Sequence, residues 1–223
     1  MHFRDRAEAG RFLATKLVHL AARPGLLVLA LPRGGVPVGY EVARVLRAPL
    51  DVIVVRKLGV PGQKELAMGA IASGGTRVLN STVIAAMGAG ATDAVERATA
   101  IETEELRLRE KTYRGNRPFR DLCARTVVLV DDGLATGATM RAAARAVRLR
   151  APAGLIIAVP VAAESSCREL EAEADEVICA LTPEEFFGVG QFYHDFRQTT
   201  DEEVRDYLAA AAAWTKADDQ PNE

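Results

Sequence analysis

Cysteine is scarce: Cys123, Cys167 and Cys179 are the three in 223 residues, an odd number without close spacing. Such a pattern indicates neither a disulfide framework nor a metal-ligand cluster, and His2, His19 and His194 do not gather in sequence either. The apolar runs at 26–32 and 155–163 have the length of buried strands and fall far short of the ~20 residues that a bilayer requires, so no membrane span is expected. The opening Met-His-Phe-Arg-Asp-Arg lacks the apolar stretch of an export signal. A reduced, cytoplasmic protein is the expectation. Charge of one sign is missing too, because 28 Lys and Arg stand against 30 Asp and Glu, a net of −2. That balance disfavours a nucleic-acid module held by bulk electrostatics. Two nucleotide motifs are absent as well. There is no G-x-x-x-x-G-K-[ST], and the first apolar run leads into Gly34-Gly35-Val36-Pro37-Val38-Gly39, which is not G-x-G-x-x-G.

What is present describes a globular chain. At 49% hydrophobic and 26% charged, it can bury roughly 70% of its unfolded surface around one core, and a single domain over 1–223 is expected. Phe12, Leu13, Leu17, Val18 and Leu20 recur at helical spacing within 4–22, before an apolar strand at 26–31. Val38, Val42, Val45 and Leu46 mark a second helix, and 51–58 a second strand, which makes a β-α-β unit and favours a parallel sheet. The glycine-rich 59–75 predicts a long loop or a projecting hairpin, and 92–113 a partly exposed helix whose charge run is solvated. Strands at 126–132, 154–161 and 177–181 then alternate with helices at 139–150 and 166–174, the latter opening on Ser166-x-x-Glu169. Thr182-Pro183-Glu184-Glu185 reads as a further helix start, and Thr200-Asp201-Glu202-Glu203 repeats the device before an alanine-rich helix. The fold class is therefore α/β, an open doubly wound, mostly parallel sheet whose ligands sit beyond the carboxyl ends of the strands.

The richest stretch follows the third strand, where Val127-Val128-Leu129-Val130 runs into Asp131-Asp132-Gly133-Leu134-Ala135-Thr136-Gly137-Ala138-Thr139. Amides of Ala135, Thr136, Gly137, Ala138 and Thr139 at a helix N-terminus could converge on a phosphate, helped by the two threonine hydroxyls. Two carboxylates beside a phosphate cradle oppose its charge unless they accept hydrogen bonds from sugar hydroxyls, which makes the ligand a ribose 5-phosphate. A phosphoacceptor receiver domain would want another acidic strand end later, where this chain has Pro160-Val161-Ala162-Ala163. A plain turn with a helix cap is the other reading. After the first strand, Pro32-Arg33-Gly34-Gly35 offers a forked cation and two glycines that let backbone approach an anion; an ordinary strand-to-helix turn with a solvated Arg33 is its alternative.

Residues 128–139 resemble the phosphoribosyl pyrophosphate (PRPP) signature of type I phosphoribosyltransferases, and the strand and helix order agrees along 25–182. More narrowly, Pro-Arg-Gly-Gly, Arg-Lys-x-Gly-x-Pro-Gly and an aromatic C-terminal segment resemble a group of predicted bacterial phosphoribosyltransferases of unassigned acceptor. The resemblance implies that Asp131 and Asp132 bind the ribose hydroxyls and Ala135 to Thr139 the 5′-phosphate. It implies that Arg33, Gly34 and Gly35 bind pyrophosphate, with a strained cis peptide at Arg33-Gly34. Arg56 and Lys57 would meet pyrophosphate from a mobile catalytic loop over 59–80, and Glu65 would accept a proton from the incoming base; a solvent-facing charge is the alternative for Glu65. A small hood at 182–200 would cover the base with Phe186, Phe187, Phe192 and Tyr193, beside Asp195; a core or interface cluster is the alternative there. Ala135 stands where the 6-oxopurine branch has an Asp, so the chain is similar to the adenine-type and other branches at that point.

The expected function is transfer of the 5-phosphoribosyl group from PRPP to a nitrogenous base, with Mg²⁺ bound mainly through PRPP and pyrophosphate, as the resemblance implies. A homodimer is implied in the same way. The alternative is a non-catalytic regulatory protein that senses PRPP or a nucleotide with the same fold. Intact Arg33, Arg56 and Lys57 favour catalysis over that alternative.

Overall fold

The computed structural model describes residues 1–21, 23–88 and 90–218, leaving aside the side chains of 64, 65 and 214–218. Helix α1 (Arg6–Lys16) is capped by Asp5, whose carboxylate accepts from the Glu8 N–H at 2.8 Å. Strand β1 (Leu26–Ala30), helix α2 (Gly35–Leu46) and strand β2 (Leu50–Val52) follow. Then come β3 (Val55–Val60), β4 (Gln63–Ala72) and β5 (Thr76–Leu79), helix α3 (Ser81–Met87) and the long helix α4 (Ala91–Arg114). The remainder alternates: β6 (Thr126–Val130), α5 (Ala138–Arg148), β7 (Gly154–Val159), α6 (Glu164–Leu170), β8 (Glu176–Cys179), and finally α7 (Asp201–Asp218).

Five strands form a parallel sheet in the order β2-β1-β6-β7-β8. Its central strands read Leu-Leu-Val-Leu-Ala and Thr-Val-Val-Leu-Val and are buried throughout, as a strand covered on both faces must be. Successive side chains point to opposite faces. Val28, Ala30, Val128 and Val130 accordingly pack with α1, α2 and α7 residues such as Leu13, Val42 and Val204. Leu27, Leu29, Val127 and Leu129 pack with Met140, Ala143 and Val147 of α5 and Leu170 of α6. The sequence expectation of an α/β, mostly parallel sheet describes this architecture.

Several elements differ from the sequence reading. The single strand expected at 51–58 is two: β2 closes the parallel sheet, and past Ile53 and Val54 the chain enters a separate antiparallel sheet of order β3-β4-β5. The segment 59–75 is thus mostly paired strand, turning at Pro61-Gly62 with Gly62 at φ 78°. No helix starts at Thr182; the segment is irregular up to a short 3-10 turn at Val189–Phe192, since the capping letters are followed by Gly188 and Gly190 rather than by apolar periodicity. Helix α6 begins at Glu164, two residues before Ser166, which frees the Ser166 hydroxyl to donate to the Ala135 carbonyl. Thr200 does behave as read: its hydroxyl accepts from the Glu203 N–H at 3.1 Å and Glu203 accepts from the Thr200 N–H at 2.8 Å, a reciprocal cap on α7. Cys167 and Cys179 form a disulfide with Cα atoms 6.5 Å apart. A helix–strand pair brings them together across 12 residues, a spacing that carries no signal in sequence.

Helix α4 is tied to the sheet edge by one residue. Arg114 is buried, with its guanidinium donating to Asp51 at 2.8 Å, to Glu110 at 2.8 Å and to the Val52 carbonyl. Removing one partner of a buried ion pair leaves an uncompensated charge. Arg114→Ala is therefore expected to lose about 3–5 kcal/mol of unfolding free energy in urea. Asp51→Leu with Arg114→Leu together should lose less than the sum of the single changes.

Candidate active site

Strands β1 and β6 run in register, with Ala30 opposite Val130, so the segments that leave them meet at one level. Leu31 N–H donates to the Val130 carbonyl at 2.9 Å and carries the pairing one residue further. Beyond it the two loops interlock. A Cβ on Gly34 would lie 2.0 Å from Oδ2 of Asp132, and one on Gly35 would lie 2.8 Å from the Val130 carbonyl oxygen. The glycines therefore serve close approach to the acid pair; Gly34 has φ −60° and ψ −34°, which any residue adopts. The cis peptide expected at Arg33-Gly34 falls one bond earlier, at Pro32-Arg33.

The acid pair is half-buried. Asp131 Oδ1 accepts from the Asp132 N–H at 2.8 Å, and Asp132 Oδ2 accepts from Nε of Arg6 in α1 at 2.8 Å. Burial, and then the neighbouring charge of Asp132, hold the Asp131 carboxyl well above the ordinary aspartate range. Burial also raises Asp132, and the Arg6 guanidinium opposes that rise. Arg6 is itself fixed, donating to the Arg197 carbonyl at 2.7 Å and lying 4.1 Å from the Phe196 ring centroid. Sequence inspection missed Arg6 because it lies 126 residues from its partner.

The segment after the pair forms a cradle. Leu134 N–H donates to the Val161 carbonyl at 3.0 Å and Ala163 N–H to the Leu134 carbonyl at 3.1 Å, while Ser166 holds the Ala135 carbonyl. Gly137 takes φ 65° and turns the chain into α5. Among the described residues, the N–H groups of Ala135, Thr136, Gly137, Ala138 and Thr139 donate to no protein acceptor. Apart from the buried Gly137 these positions are exposed. Five amides without protein acceptors among the described residues, at a helix N-terminus, form an arrangement chemically able to hold an anion.

Next to the cradle a cavity of about 320 Å³ opens beyond β1, β2 and β3, lined by Arg33, Arg56 and Thr139. Lys57 is not in its wall. Neighbouring residues of a strand face opposite sides, and Lys57 lines a second groove, about 210 Å³, with Ala138 and Arg141 of α5. Arg56 and Lys57, expected together at pyrophosphate, thus line two different grooves on opposite faces of β3. Glu65 lies on β4, and its side chain is outside the described residues. Helix α4, read from sequence as a solvated face, contributes Arg109 and Tyr113 to the cavity. The readable signal was the helical spacing of Leu106, Arg109 and Tyr113, with Leu106 and Tyr113 buried.

The aromatic cluster also divides. Phe192 and Tyr193 are core residues packed with Phe3, Ala9 and Val161, and cannot stack on a ligand. The Tyr193 hydroxyl instead donates to the Asp132 carbonyl at 2.6 Å, and burial raises its pKa. Phe186 packs partly against the same cluster, while Phe187 is 90% exposed. This segment leans on the acid loop, since a Cβ on Gly133 would meet Val189 at 2.6 Å.

Comparison with known proteins agrees with this geometry. The model of the phosphoribosyl transferase domain family matches residues 4–197. A Mycobacterium tuberculosis H37Rv protein named "Putative phosphoribosyl transferase Rv0571c" is 47% identical over 226 residues, 97% of this chain. A protein of the CDC 1551 strain named "Putative phosphoribosyl transferase MT0597" matches to the same extent. The chain spans about half the length of these curated relatives, 50% of each. The crystal structure of TT1426 from Thermus thermophilus superposes with a TM-score of 0.85 at 43% identity, covering 94% of this chain and 99% of that one.

Arg6→Gln removes the one cation that opposes the rise of the Asp132 carboxyl, so carbon-detected titration should show that group moving further up. The sign for stability follows. Through Asp132, Arg6 favours only the ionised carboxylate, so this part of its contribution is full above the variant's higher pKa and disappears as pH falls through the parent's. The variant should be about 1.5–3 kcal/mol less stable at pH 8 and approach the parent in acid. A deficit independent of pH would show that Arg6 does not act through the carboxylate.

Proposed function

The chain belongs to the phosphoribosyl transferase family, and on that footing we propose that it moves the 5-phosphoribosyl group from PRPP to a nitrogenous base with release of pyrophosphate. The observation that carries this reading is the continuity of two vicinal carboxylates, Asp131 and Asp132, with five amides that have no protein acceptor. Carboxylates accept from sugar hydroxyls and amides donate to phosphate, and a ribose 5-phosphate carries both groups at its two ends. Arg33 and Arg56, in the cavity beside the cradle, are suited to the pyrophosphate.

In this reaction the bond from C1 of the ribose to pyrophosphate oxygen breaks, and its electron pair leaves on pyrophosphate. A base nitrogen forms the new bond to C1 and gives up its proton, for which Glu65 is the proposed acceptor. Charge builds on the leaving group and on the ribose ring, so the residues act by holding both partners in line and stabilising that charge. Arg33 and Arg56 would meet the leaving pyrophosphate with forked donors. Phe187 has a free aromatic face on which a base could stack. Ala135 supplies no acid to a base, which supports an acceptor outside the 6-oxopurines.

Among the described residues no three His, Cys, Asp or Glu side chains gather to hold a metal unaided. The site has two carboxylates and several cations, a donor set that fits Mg²⁺ carried mainly by PRPP oxygens and water, with Asp131 and Asp132 as its nearest protein acids. When bound, the ion would neutralise charge on pyrophosphate.

The test is to incubate the protein with Mg²⁺, PRPP and a panel of purines, pyrimidines and other nitrogen heterocycles, and to assay pyrophosphate. Release with one base is expected. Tight PRPP binding without turnover across the panel would replace catalysis with a regulatory role. Asp131→Asn with Asp132→Asn should weaken PRPP at least ~100-fold, from about 1.5 kcal/mol per charged hydrogen bond, while inorganic phosphate binds as before. Equal loss of both ligands would mean that the carboxylates do not read the sugar.

A further inference from the structure

The cavity beside the phosphate cradle has a third arginine. Arg109 of α4 lines it together with Arg33, Arg56, Tyr113 and Thr139. The other two guanidinium groups already face acids: Arg56 Nε donates to Glu102 at 2.7 Å, and Arg33 Nη1 lies 3.7 Å from Asp201. Among the described residues Arg109 forms no ion pair, and its hydrogen bond goes to the Tyr113 hydroxyl at 3.5 Å. That hydroxyl in turn donates to Asp201 at 2.8 Å. Glu102 and Asp201 thus face Arg56 and Arg33 directly, whereas Asp201 and Glu105 act on Arg109 only from longer range and, for Asp201, through the Tyr113 hydroxyl.

A half-buried guanidinium that touches no carboxylate directly, beside two others, suits an anion of several charges. The 5′-phosphate has its own donors in the amides of residues 135–139. Thr139 is shared between that cradle and the cavity wall, so the second anion group would lie on the same ligand, next to the ribose. We propose that Arg109 binds the pyrophosphate group of PRPP directly, as the third arm of a cradle completed by Arg33 and Arg56. This inference rests on the phosphoribosyl transfer reading and adds to it a binding group from a helix that the sequence presents as solvated.

The experiment is calorimetric titration of the intact chain in Mg²⁺ with two probes, inorganic pyrophosphate and ribose 5-phosphate. Arg109→Gln should weaken pyrophosphate about tenfold or more, the scale of one charge-assisted hydrogen-bonding group, and leave ribose 5-phosphate within about twofold. Arg109→Lys should recover part of the loss, because it restores charge without the fork. Unchanged pyrophosphate affinity in Arg109→Gln overturns the assignment while leaving the transferase reading intact. Equal loss of both probes overturns it as well, by making Arg109 a structural residue. A parent protein that binds neither probe removes the transferase reading and this inference with it.

Discussion

Two parallel strands that end at the same level impose the geometry on which the site depends. Ala30 sits opposite Val130, so the chain leaving β1 must pass the carboxylates leaving β6. Only residues without a Cβ fit there, and Gly34 and Gly35 occupy the passage. Two segments far apart in sequence, around Phe3 and 192–194, then fold over the same spot. Phe3 N–H donates to the Phe192 carbonyl at 2.8 Å and His194 N–H to the Phe3 carbonyl at 2.9 Å. This stitch brings Arg6 and Tyr193 onto Asp132 from opposite ends of the sequence. A half-buried acid pair gains from such neighbours, because burial disfavours the charge on its carboxylates.

The arginines are prepared in a related way. Arg6, Arg33 and Arg56 each rest against a carboxylate in Asp132, Asp201 and Glu102. Partners of this kind hold a long side chain near its working position and limit the ordering that a ligand must impose. They also mean that a bound polyanion competes with resident acids. Among the described residues the amides of 135–139 face no such competition, so the cradle proposed for phosphate is in place before any side chain moves. This contrast follows from chemistry: a helix N-terminus is preorganised by its own backbone, whereas a guanidinium on a flexible stem is not.

Legibility from sequence followed the range of the interaction. Buried strands such as 126–130 and the reciprocal cap at Thr200 and Glu203 show in runs of a few letters, because both arise from neighbours in the chain. The acid pair and the loop after it were readable for the same reason. Arg6 and the Cys167–Cys179 link depend on elements meeting across the fold, and no local pattern marks them. Local signals also misled where two uses competed. Ser166 looks like a helix cap but serves the Ala135 carbonyl, and Tyr193 looks like a stacking ring but is a core residue with a polar tip. The letters of Thr182 to Glu185 promised a helix that the glycines after them do not continue.

The separation of Arg56 from Lys57 has a consequence for how this segment could evolve. Strand geometry assigns faces by odd and even position, and pairing with β4 fixes which of the two cations faces inward. Slipping the β3–β4 register by one residue would exchange them, sending an ammonium where a guanidinium now lies. Changes of two residues would preserve the assignment. The register irregularity at Leu58 and Gly59 lies farther out along the hairpin, where length can vary without altering which cation looks inward.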